Sequence, residues 1–331
     1  GCPCTSTLMG LGSIEPEREG YLGFAGMHGS YGANIAIQEC DLLLCIGMRF
    51  SDRVTGKVAE FAPNAKIVHF EIDPAEINKN VQVDIKVLGD LKNSLPLLRD
   101  KLNASETNFK QKFNSWLNLS VEKGNKHPFS YKTDGENIKP GALISKISEI
   151  CDKNTIAVTD VGQHQMWAAQ FFKVQAPRQF LTSGGLGTMG FGLPAAMGAK
   201  LACPNKNVVL FTGDGSIMMN IQELATIADN DIDIKIVIVH NFILGMVGQW
   251  QRLFYNHHYS ASELNLKRDF IKIAEAMGVR GYRLTKATEL EKLPEILNSK
   301  GAAVIDVYVP QDENVLPMVP GGKRLDQMVL S

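Results

Sequence analysis

The chain has 331 residues, enough for two ordinary α/β domains, and its 34 basic and 35 acidic side chains nearly balance. This balance argues against a nucleic-acid or membrane-surface partner that is bound through net charge. No apolar run approaches the length that spans a membrane. The six cysteines lack the spacing of metal ligands, so we expect reduced, buried thiols in an intracellular protein.

The first part of the chain alternates short apolar runs with segments of helical pattern. Strands are predicted at 3–8, 41–47, 65–72 and 86–88, and helices at 30–39, 91–102 and 106–121. Such alternation is typical of a doubly wound parallel sheet, across whose carboxyl end an adenine dinucleotide commonly lies. The run at 41–47 has the composition of a buried strand. The chain starts at Gly1, almost within a strand, which favours a trimmed chain or a fragment.

A polar stretch leads into a second part of the same type. We predict domains at 1–124 and 140–331, joined by a linker at 125–139. Further strands are predicted at 155–160, 179–182, 207–212, 234–239, 280–284 and 303–309, with helices at 141–151, 191–201, 217–228, 269–277 and 289–299. The predicted fold class is α/β, with two doubly wound parallel-sheet domains.

A Gly-Asp-Gly turn and an isolated asparagine follow two neighbouring predicted strands. Asp214 comes after the strand at 207–212, and Asn241 comes after the strand at 234–239. With a right-handed crossover between parallel strands, both side chains lie at the carboxyl end of the sheet. One carboxylate and one amide oxygen suit a Mg²⁺ ion that also holds a diphosphate, although a plain turn and a strand cap are simpler alternatives. The glycine-rich turn at 183–190 similarly fits an anion site or close packing.

The sequence motifs around these residues resemble those of a known enzyme family. GDG, MNIQELAT and the asparagine after an apolar strand are similar to the thiamine diphosphate motif, and LGMVGQWQRLFYNHHYS resembles the catalytic subunit of acetohydroxyacid synthase (acetolactate synthase). QHQMWAAQ and SGGLGTMGFGLPAA match the diphosphate-binding domain of that family. The resemblance implies that thiamine diphosphate contacts Gln163, His164, Gly187, Met189, Asp214, Gly215, Ser216, Asn241, Gly245 and Met246.

The same resemblance implies a metal site. Mg²⁺ would be held by Asp214, Asn241 and the main-chain oxygen of Ile243. The family usually has two consecutive asparagines where this chain has His240 and Asn241. The metal role belongs to the second of them, so it is retained here.

The first part of the chain resembles the middle, FAD-holding domain of the family. The matching words include TLMGLG, GMHG and FAPNAKIVHFEIDPAEI, while the first strand and helix of that domain have no counterpart. The resemblance implies FAD contacts from His28, Gly47, Arg49, Asp73 and Asp90, and a substrate channel lined by Arg53 and Trp250. From the residues alone, Asp73 also suits a helix cap, and Arg53 suits a surface ion pair with Asp52. Met246 and Trp250 also suit core packing.

The activity implied by the resemblance is that of a thiamine diphosphate-dependent transferase. It decarboxylates pyruvate and condenses the hydroxyethyl unit with pyruvate or 2-ketobutyrate, the first common step of valine, leucine and isoleucine biosynthesis. In the family, a glutamate from an N-terminal domain of the partner subunit contacts the pyrimidine ring. No motif in this chain resembles that domain. We therefore expect no catalytic residue in this chain, little activity of the chain alone, and an active site between subunits of a homodimer or tetramer.

The resemblance allows a small regulatory subunit as a further partner of the catalytic subunits. The compartment would be the cytoplasm in a bacterium and the plastid or mitochondrion in a eukaryote. Two other functions fit the motifs: a thiamine enzyme of the pyruvate oxidase or glyoxylate carboligase type, and a truncated cofactor-binding protein without catalysis. The QWQ word that contains Trp250 argues against the first of these.

Overall fold

The computed structural model describes residues 1–264 and 267–330 and divides into two compact units. The unit limits are Gly1–Gly10, Glu17–Phe129 and the chain from Leu316 onward for the first, and Leu11–Pro16 and Ser130–Val315 for the second. The tail packs with the first unit, where the Val319 N–H donates to the Met27 carbonyl at 2.7 Å. The sequence pattern instead predicts a second domain at 140–331 that includes this tail.

Parallel strands alternate with helices in the first unit. The strands are β1 (Cys4–Ser6), β2 (Tyr21–Phe24), β3 (Leu42–Ile46), β4 (Lys66–Glu71) and β5 (Ile85–Leu88), and the helices are α1 (Tyr31–Glu39), α2 (Asp52–Thr55), α3 (Leu91–Asn103) and α4 (Phe109–Lys126). β1 pairs with β2, and β3, β4 and β5 form a second sheet in that order. All of these pairings are parallel, as predicted, but β2 lies where no strand was predicted.

The sheet of β3, β4 and β5 buries one face more fully than the other. Successive side chains of a strand point to opposite faces. Cys45 of β3 and Ile67 of β4 belong to the core of the first unit and are 2% and 5% exposed. Leu42, Leu44 and Ile46 of β3 are 46% to 48% exposed. The prediction of a buried strand at 41–47 is therefore wrong for one face, because apolar composition does not show which faces other elements cover.

The second unit is built around a larger parallel sheet. Its strands are β6 (Ile156–Thr159), β7 (Phe180–Leu181), β8 (Val208–Gly213), β9 (Lys235–His240), β10 (Arg280–Leu284) and β11 (Ala303–Tyr308). Its helices are α5 (Pro140–Ile150), α6 (Gln163–Phe171), α7 (Gly192–Ala202), α8 (Glu223–Asp229), α9 (Gly245–Phe254), α10 (Phe270–Ala276) and α11 (Leu293–Asn298). Every residue of β8 and β9 is buried, as expected for parallel strands covered by helices on both faces.

The strand order of this sheet defines where a ligand would bind. The order is β10, β11, β9, β8, β6, β7. From β6 the chain runs to β7 on one side and then to β8 on the other, so the direction of winding reverses between β6 and β8. Open α/β sheets bind ligands outside the carboxyl ends of the strands at such a switch point.

Two predicted helices are broken in the structure. The segment predicted as a helix at 217–228 forms a 3₁₀ turn (Ile217–Met219) and then α8, because the Asn220 side chain leaves the helix and donates to the Gly190 carbonyl at 2.6 Å. The segment at 289–299 likewise begins as a 3₁₀ turn, and α11 starts next to Pro294, which has no N–H to continue a helix from the preceding turn. Within the described residues, no helix combines the length and apolarity needed to cross a membrane.

Candidate active site

Asp214 lies at the carboxyl end of β8, beside the switch point, and is 2% exposed. Its carboxylate accepts hydrogen bonds from the Gly215 N–H at 3.0 Å and from the Phe242 N–H at 2.8 Å. Burial raises the pKa of Asp214 to about 6, although His240, whose Nε2 lies 3.6 Å from Oδ2, acts to lower it. The hydrogen bond from Phe242 connects the Asp214 carboxylate to the loop that follows β9.

The two glycines of the Gly-Asp-Gly turn allow this close approach. A Cβ atom at Gly213 would lie 2.9 Å from His164 Nδ1, and one at Gly215 would lie 2.7 Å from Leu244 Cδ2. Both distances are shorter than real Cβ contacts. The turn therefore does more than reverse the chain, because it lets the start of α6 and the loop after β9 pack against the Asp214 backbone.

Asn241 follows β9 and reaches the same edge of the sheet. Its side chain is 5% exposed, and its Nδ2 donates to Gln163 Oε1 at 3.1 Å. On its other side, the Asn241 Oδ1 lies 3.4 Å from the Ile243 N–H. Phe242, between them, has a φ of 60°, which bends the loop sharply. The predicted metal ligands Asp214, Asn241 and Ile243 are thus linked through one short loop.

Ser216, after β8, and His164, at the start of α6, add further predicted residues to this edge. Ser216 is buried, and its hydroxyl donates to the Val161 carbonyl at 2.9 Å, which joins the ends of β8 and β6. Burial lowers the pKa of His164 to about 3, so its ring is neutral at neutral pH. His164 Nε2 is buried without a hydrogen-bond partner among the described residues. A buried polar atom of this kind fits a site that receives a polar ligand.

The glycine-rich turn is held by an aspartate that the sequence analysis did not single out. Asp160, at the end of β6, accepts a hydrogen bond from the Gly190 N–H at 2.8 Å, and burial raises its pKa. Gly187 is exposed with a φ of 64°, and Met189 is half-buried with its methyl close to Gly215. The sequence signal for Asp160 is its position at the end of a predicted strand, which is similar to the position of Asp214 after the strand at 207–212.

α9, which was not predicted as a helix, connects the loop after β9 to an open groove. Its first residue, Gly245, has no room for a side chain, since a Cβ there would lie 2.7 Å from Asn241 Nδ2. Met246 and Trp250 line a groove of about 760 Å³ together with Gln251, Phe254, Tyr255 and His258. Trp250 is half-buried, with its ring centroid 5.2 Å from that of Phe254. It therefore faces a cavity large enough for a small ligand.

His240 belongs to a buried polar pair that sequence reasoning missed. Its Nδ1 is hydrogen-bonded to Asp306 Oδ1 at 2.8 Å, and Asp306 is 0% exposed. Arg283 Nε donates to the other oxygen of Asp306 at 3.2 Å. The residue that replaces the usual asparagine is therefore oriented by a carboxylate of β11, which has no recognisable signal in the sequence.

In the first unit, predicted FAD residues follow the carboxyl ends of neighbouring strands. Gly47 follows β3 with a φ of 64°, Asp73 follows β4, and Asp90 follows β5. Asp73 caps a 3₁₀ turn by accepting from the Ala75 N–H at 2.9 Å, and Asp90 caps α3. The capping role considered for Asp73 is thus observed, and the position at a shared sheet edge is the one that a dinucleotide occupies in this class of sheet.

The remaining predicted residues of the first unit differ in exposure. His28 is 4% exposed, whereas Arg49 is exposed. Arg53 pairs with Asp52 at 2.9 Å, and the two side chains are 70% and 72% exposed. The surface ion pair considered from the sequence is therefore present, and pairs of this kind contribute little to stability.

The donor set at Asp214 and Asn241 fits a hard cation. In residues 1–264 and 267–330, no group of three His, Cys, Asp or Glu side chains has the geometry of a metal site. A cation beside Asp214 would therefore depend on one carboxylate, the Asn241 amide oxygen, a main-chain oxygen and ligands from a phosphate or water. That set is typical of Mg²⁺ and unlike the nitrogen and sulfur sites of zinc.

Comparison with known proteins assigns the two parts of the chain. Residues 1–98 match the central domain of thiamine pyrophosphate enzymes, and residues 160–307 match their C-terminal, thiamine pyrophosphate-binding domain. The acetolactate synthase isozyme 2 large subunit of Escherichia coli is 44% identical over 328 residues, which are 99% of this chain and 58% of that protein. Over almost its whole length, the chain is therefore a homologue of acetolactate synthase large subunits, and it contains central and C-terminal domains of the thiamine pyrophosphate enzyme type. The resemblance found in the sequence is thereby confirmed.

Further relatives of this chain come from an archaeon and a plant. A probable acetolactate synthase large subunit of Methanocaldococcus jannaschii is 47% identical over 99% of the chain and 56% of that protein. Acetolactate synthase 1, chloroplastic, of Nicotiana tabacum is 46% identical over 99% of the chain and 50% of that protein. The chain thus spans roughly half the length of the curated relatives that it matches, with 50% to 58% covered.

Proposed function

We propose that this chain forms the FAD-holding and thiamine diphosphate-holding parts of an acetolactate synthase catalytic subunit. The subunit would decarboxylate pyruvate and join the hydroxyethyl unit to pyruvate or 2-ketobutyrate. The observation that carries the proposal is that the buried residues Asp214 and Asn241 follow the neighbouring strands β8 and β9 at the carboxyl edge of the sheet, where the Phe242 N–H donates to Asp214 Oδ2 at 2.8 Å. The domain that contains both residues matches a thiamine pyrophosphate-binding domain.

The proposed cofactor site uses residues close to the carboxyl ends of β6, β8 and β9. When bound, thiamine diphosphate supplies the electron sink for decarboxylation. Asp214, Asn241 and the Ile243 carbonyl would hold Mg²⁺, which in turn orients the diphosphate. Contacts to the cofactor are assigned to Gln163, His164, Gly187, Met189, Gly215, Ser216, Gly245 and Met246. Their support is the convergence of the β6, β8 and β9 ends and the unpartnered, buried His164 Nε2.

FAD and the substrates are part of the same proposal. FAD would lie along the carboxyl ends of β3, β4 and β5, in contact with His28, Gly47, Arg49, Asp73 and Asp90. Trp250, which faces the groove that begins at Met246, would line the approach of the second keto acid. The resemblance assigns a substrate-channel role to Arg53 as well. The predicted domain limits 1–124 and 140–331 belong to this proposal as the FAD and thiamine diphosphate domains, except that the tail from Leu316 groups with the first unit.

We also propose the assembly expected for the family. The catalytic subunits would form a homodimer or tetramer with active sites between subunits, and a small regulatory subunit would associate with them. The glutamate that contacts the pyrimidine ring would come from an N-terminal domain of a partner subunit. For this reason we expect the 331-residue chain alone to form little acetolactate from pyruvate.

Calorimetry tests the cofactor assignment directly. Thiamine diphosphate is titrated into the 331-residue chain with and without Mg²⁺, and binding is expected to depend on the metal. Asp214→Ala should abolish that dependence, while Asp229→Ala, which removes an exposed carboxylate at the end of α8, should bind as the wild type does. Metal-independent binding, or equal binding by both variants, would overturn the assignment. Flavin absorbance of the purified chain tests the FAD site separately.

Product analysis tests the reaction. Acetolactate as the product of pyruvate turnover would support the proposal, at the low level expected for this chain. Acetate or acetyl phosphate would instead indicate a thiamine enzyme of the pyruvate oxidase type. Rapid acetolactate formation by the chain alone would contradict the expectation that a partner's domain is needed.

A further inference from the structure

A buried series of side-chain amides connects Asn241 with the backbone at residues 313–315. From this series we infer that Gln249 is a positioning residue, which determines whether the oxygen or the nitrogen of the Asn241 amide faces the metal. The inference rests on the proposed function, since it concerns the metal ligand proposed there. Gln249, Gln163 and Asn241 are 0%, 2% and 5% exposed.

The orientation of the Gln249 amide is set by the main chain. Gln249 Oε1 accepts from the Val315 N–H at 2.8 Å, and Gln249 Nε2 donates to the Val315 carbonyl at 3.2 Å. A backbone N–H can only donate and a backbone carbonyl can only accept. Reversing the Gln249 amide would therefore place donor against donor and acceptor against acceptor in a buried position.

Gln249 in turn sets the orientation of Gln163. Gln163 Nε2 donates to Gln249 Oε1 at 2.9 Å and to the Glu313 carbonyl at 2.8 Å. Both partners are acceptors, so the nitrogen of Gln163 must face them and its oxygen must face the other way. That oxygen, Oε1, meets Asn241.

The last step fixes the Asn241 amide itself. Gln163 Oε1 can only accept, so Asn241 must present Nδ2 to it, and the two atoms are 3.1 Å apart. Asn241 Oδ1 is thereby turned away from Gln163, to the side where its contact is the Ile243 N–H at 3.4 Å. A reversed Asn241 would place oxygen against oxygen on one side and would offer N–H donors on the other.

The consequence concerns metal binding. A hard cation binds the oxygen of an amide, and an NH₂ group in that position would repel it. Gln249 does not itself bind the metal in this arrangement. Its hydrogen bonds to Val315 instead keep the Asn241 oxygen turned toward the metal. Residues that orient the ligands of a metal typically change its affinity by about 10-fold to 100-fold when they are replaced.

A matched pair of variants tests this role. Gln249→Leu removes the amide that holds Gln163, and Gln165→Leu removes another buried glutamine of the same unit, which donates instead to Thr182 Oγ1 at 2.7 Å. The probe is Mn²⁺ in the presence of thiamine diphosphate, with free Mn²⁺ measured by electron paramagnetic resonance. We expect Gln249→Leu to weaken Mn²⁺ binding about tenfold or more. Gln165→Leu should leave it nearly unchanged.

A second background separates orientation from general loss of structure. In Asn241→Asp the side chain has oxygen on both sides, so an oxygen faces the metal in either orientation, and the other oxygen opposes Gln163 Oε1 as long as Gln249 holds Gln163 in place. We expect the effect of Gln249→Leu on the Mn²⁺ dissociation constant to fall from about tenfold to about twofold in the Asn241→Asp background, which is a strong departure from additivity. Far-ultraviolet circular dichroism confirms that each variant is folded, and Gln249→Met replaces Gln249→Leu if the latter is not.

Each outcome bears on a distinct conclusion. If the wild type does not bind Mn²⁺ with thiamine diphosphate, the proposed function fails and the inference fails with it. If the wild type binds, but Gln249→Leu and Gln165→Leu weaken binding equally, the inference alone is overturned. Equal effects of Gln249→Leu in the wild-type and Asn241→Asp backgrounds would overturn it as well.

Discussion

The two larger sheets of this chain have the same parallel construction but differ in burial. In the second unit, every residue of β8 and β9 is buried. In the first unit, Leu44 of β3 and Ile85 of β5 are 46% and 55% exposed. Both sets of strands are apolar, so composition does not explain the difference. A strand is buried on both faces only when other elements cover both of them. The apolar composition of a strand therefore does not predict how far the strand is buried.

The largest expected effect tests the buried side of the comparison. Ile236 of β9 is 0% exposed and lies in the core of the second unit. Ile236→Ala should lower the free energy of unfolding by about 2–5 kcal/mol, because it removes buried methyl groups and leaves a cavity that a packed sheet cannot close. Urea unfolding followed by circular dichroism measures the change. A loss below about 1 kcal/mol would mean that this sheet is less tightly packed than its burial indicates.

The second prediction concerns the strand ends and depends on pH. Burial raises the pKa of Asp214 to about 6, whereas Asp90, at the equivalent end of β5, is exposed. Below about pH 6 the Asp214 carboxyl is mostly protonated, and a proton must leave before a cation binds. The affinity for Mn²⁺ in the presence of thiamine diphosphate should therefore fall about tenfold per pH unit below about pH 6 and level off above it.

This pH dependence has a direct control. Asp214→Asn removes the titrating group, so the weak binding that it retains should lose the slope between about pH 5 and pH 6. Calorimetry or paramagnetic resonance across about pH 5–8 measures both proteins. A flat wild-type profile over that range would show that Asp214 is already ionised in the folded chain and that its burial does not restrict metal binding.

The features that could be predicted from the sequence are those that depend on local pattern and on strand direction. Alternating apolar and helical segments indicated parallel sheets, and the strand ends at Asp214 and Asn241 were expected to meet because parallel strands share a carboxyl edge. The residues that orient them could not be predicted. Gln249 meets Val315 across 66 positions of sequence, and such a contact follows from tertiary packing. α9 was missed because Gly245 and Gly248 weaken its helical pattern.

The smallest expected effect tests the exposed side of the comparison. Leu44→Ala makes a similar truncation to that of Ile236→Ala, in a strand of the same type, but about half of the Leu44 surface already contacts water. The hydrophobic contribution scales with the area removed from water, so the loss should be only about 1 kcal/mol. The same urea experiment compares the two variants, with unfolding of each unit followed separately. A loss at Leu44 as large as that at Ile236 would show that the exposed face of β3 is covered in solution, and the distinction between the two sheets would then disappear.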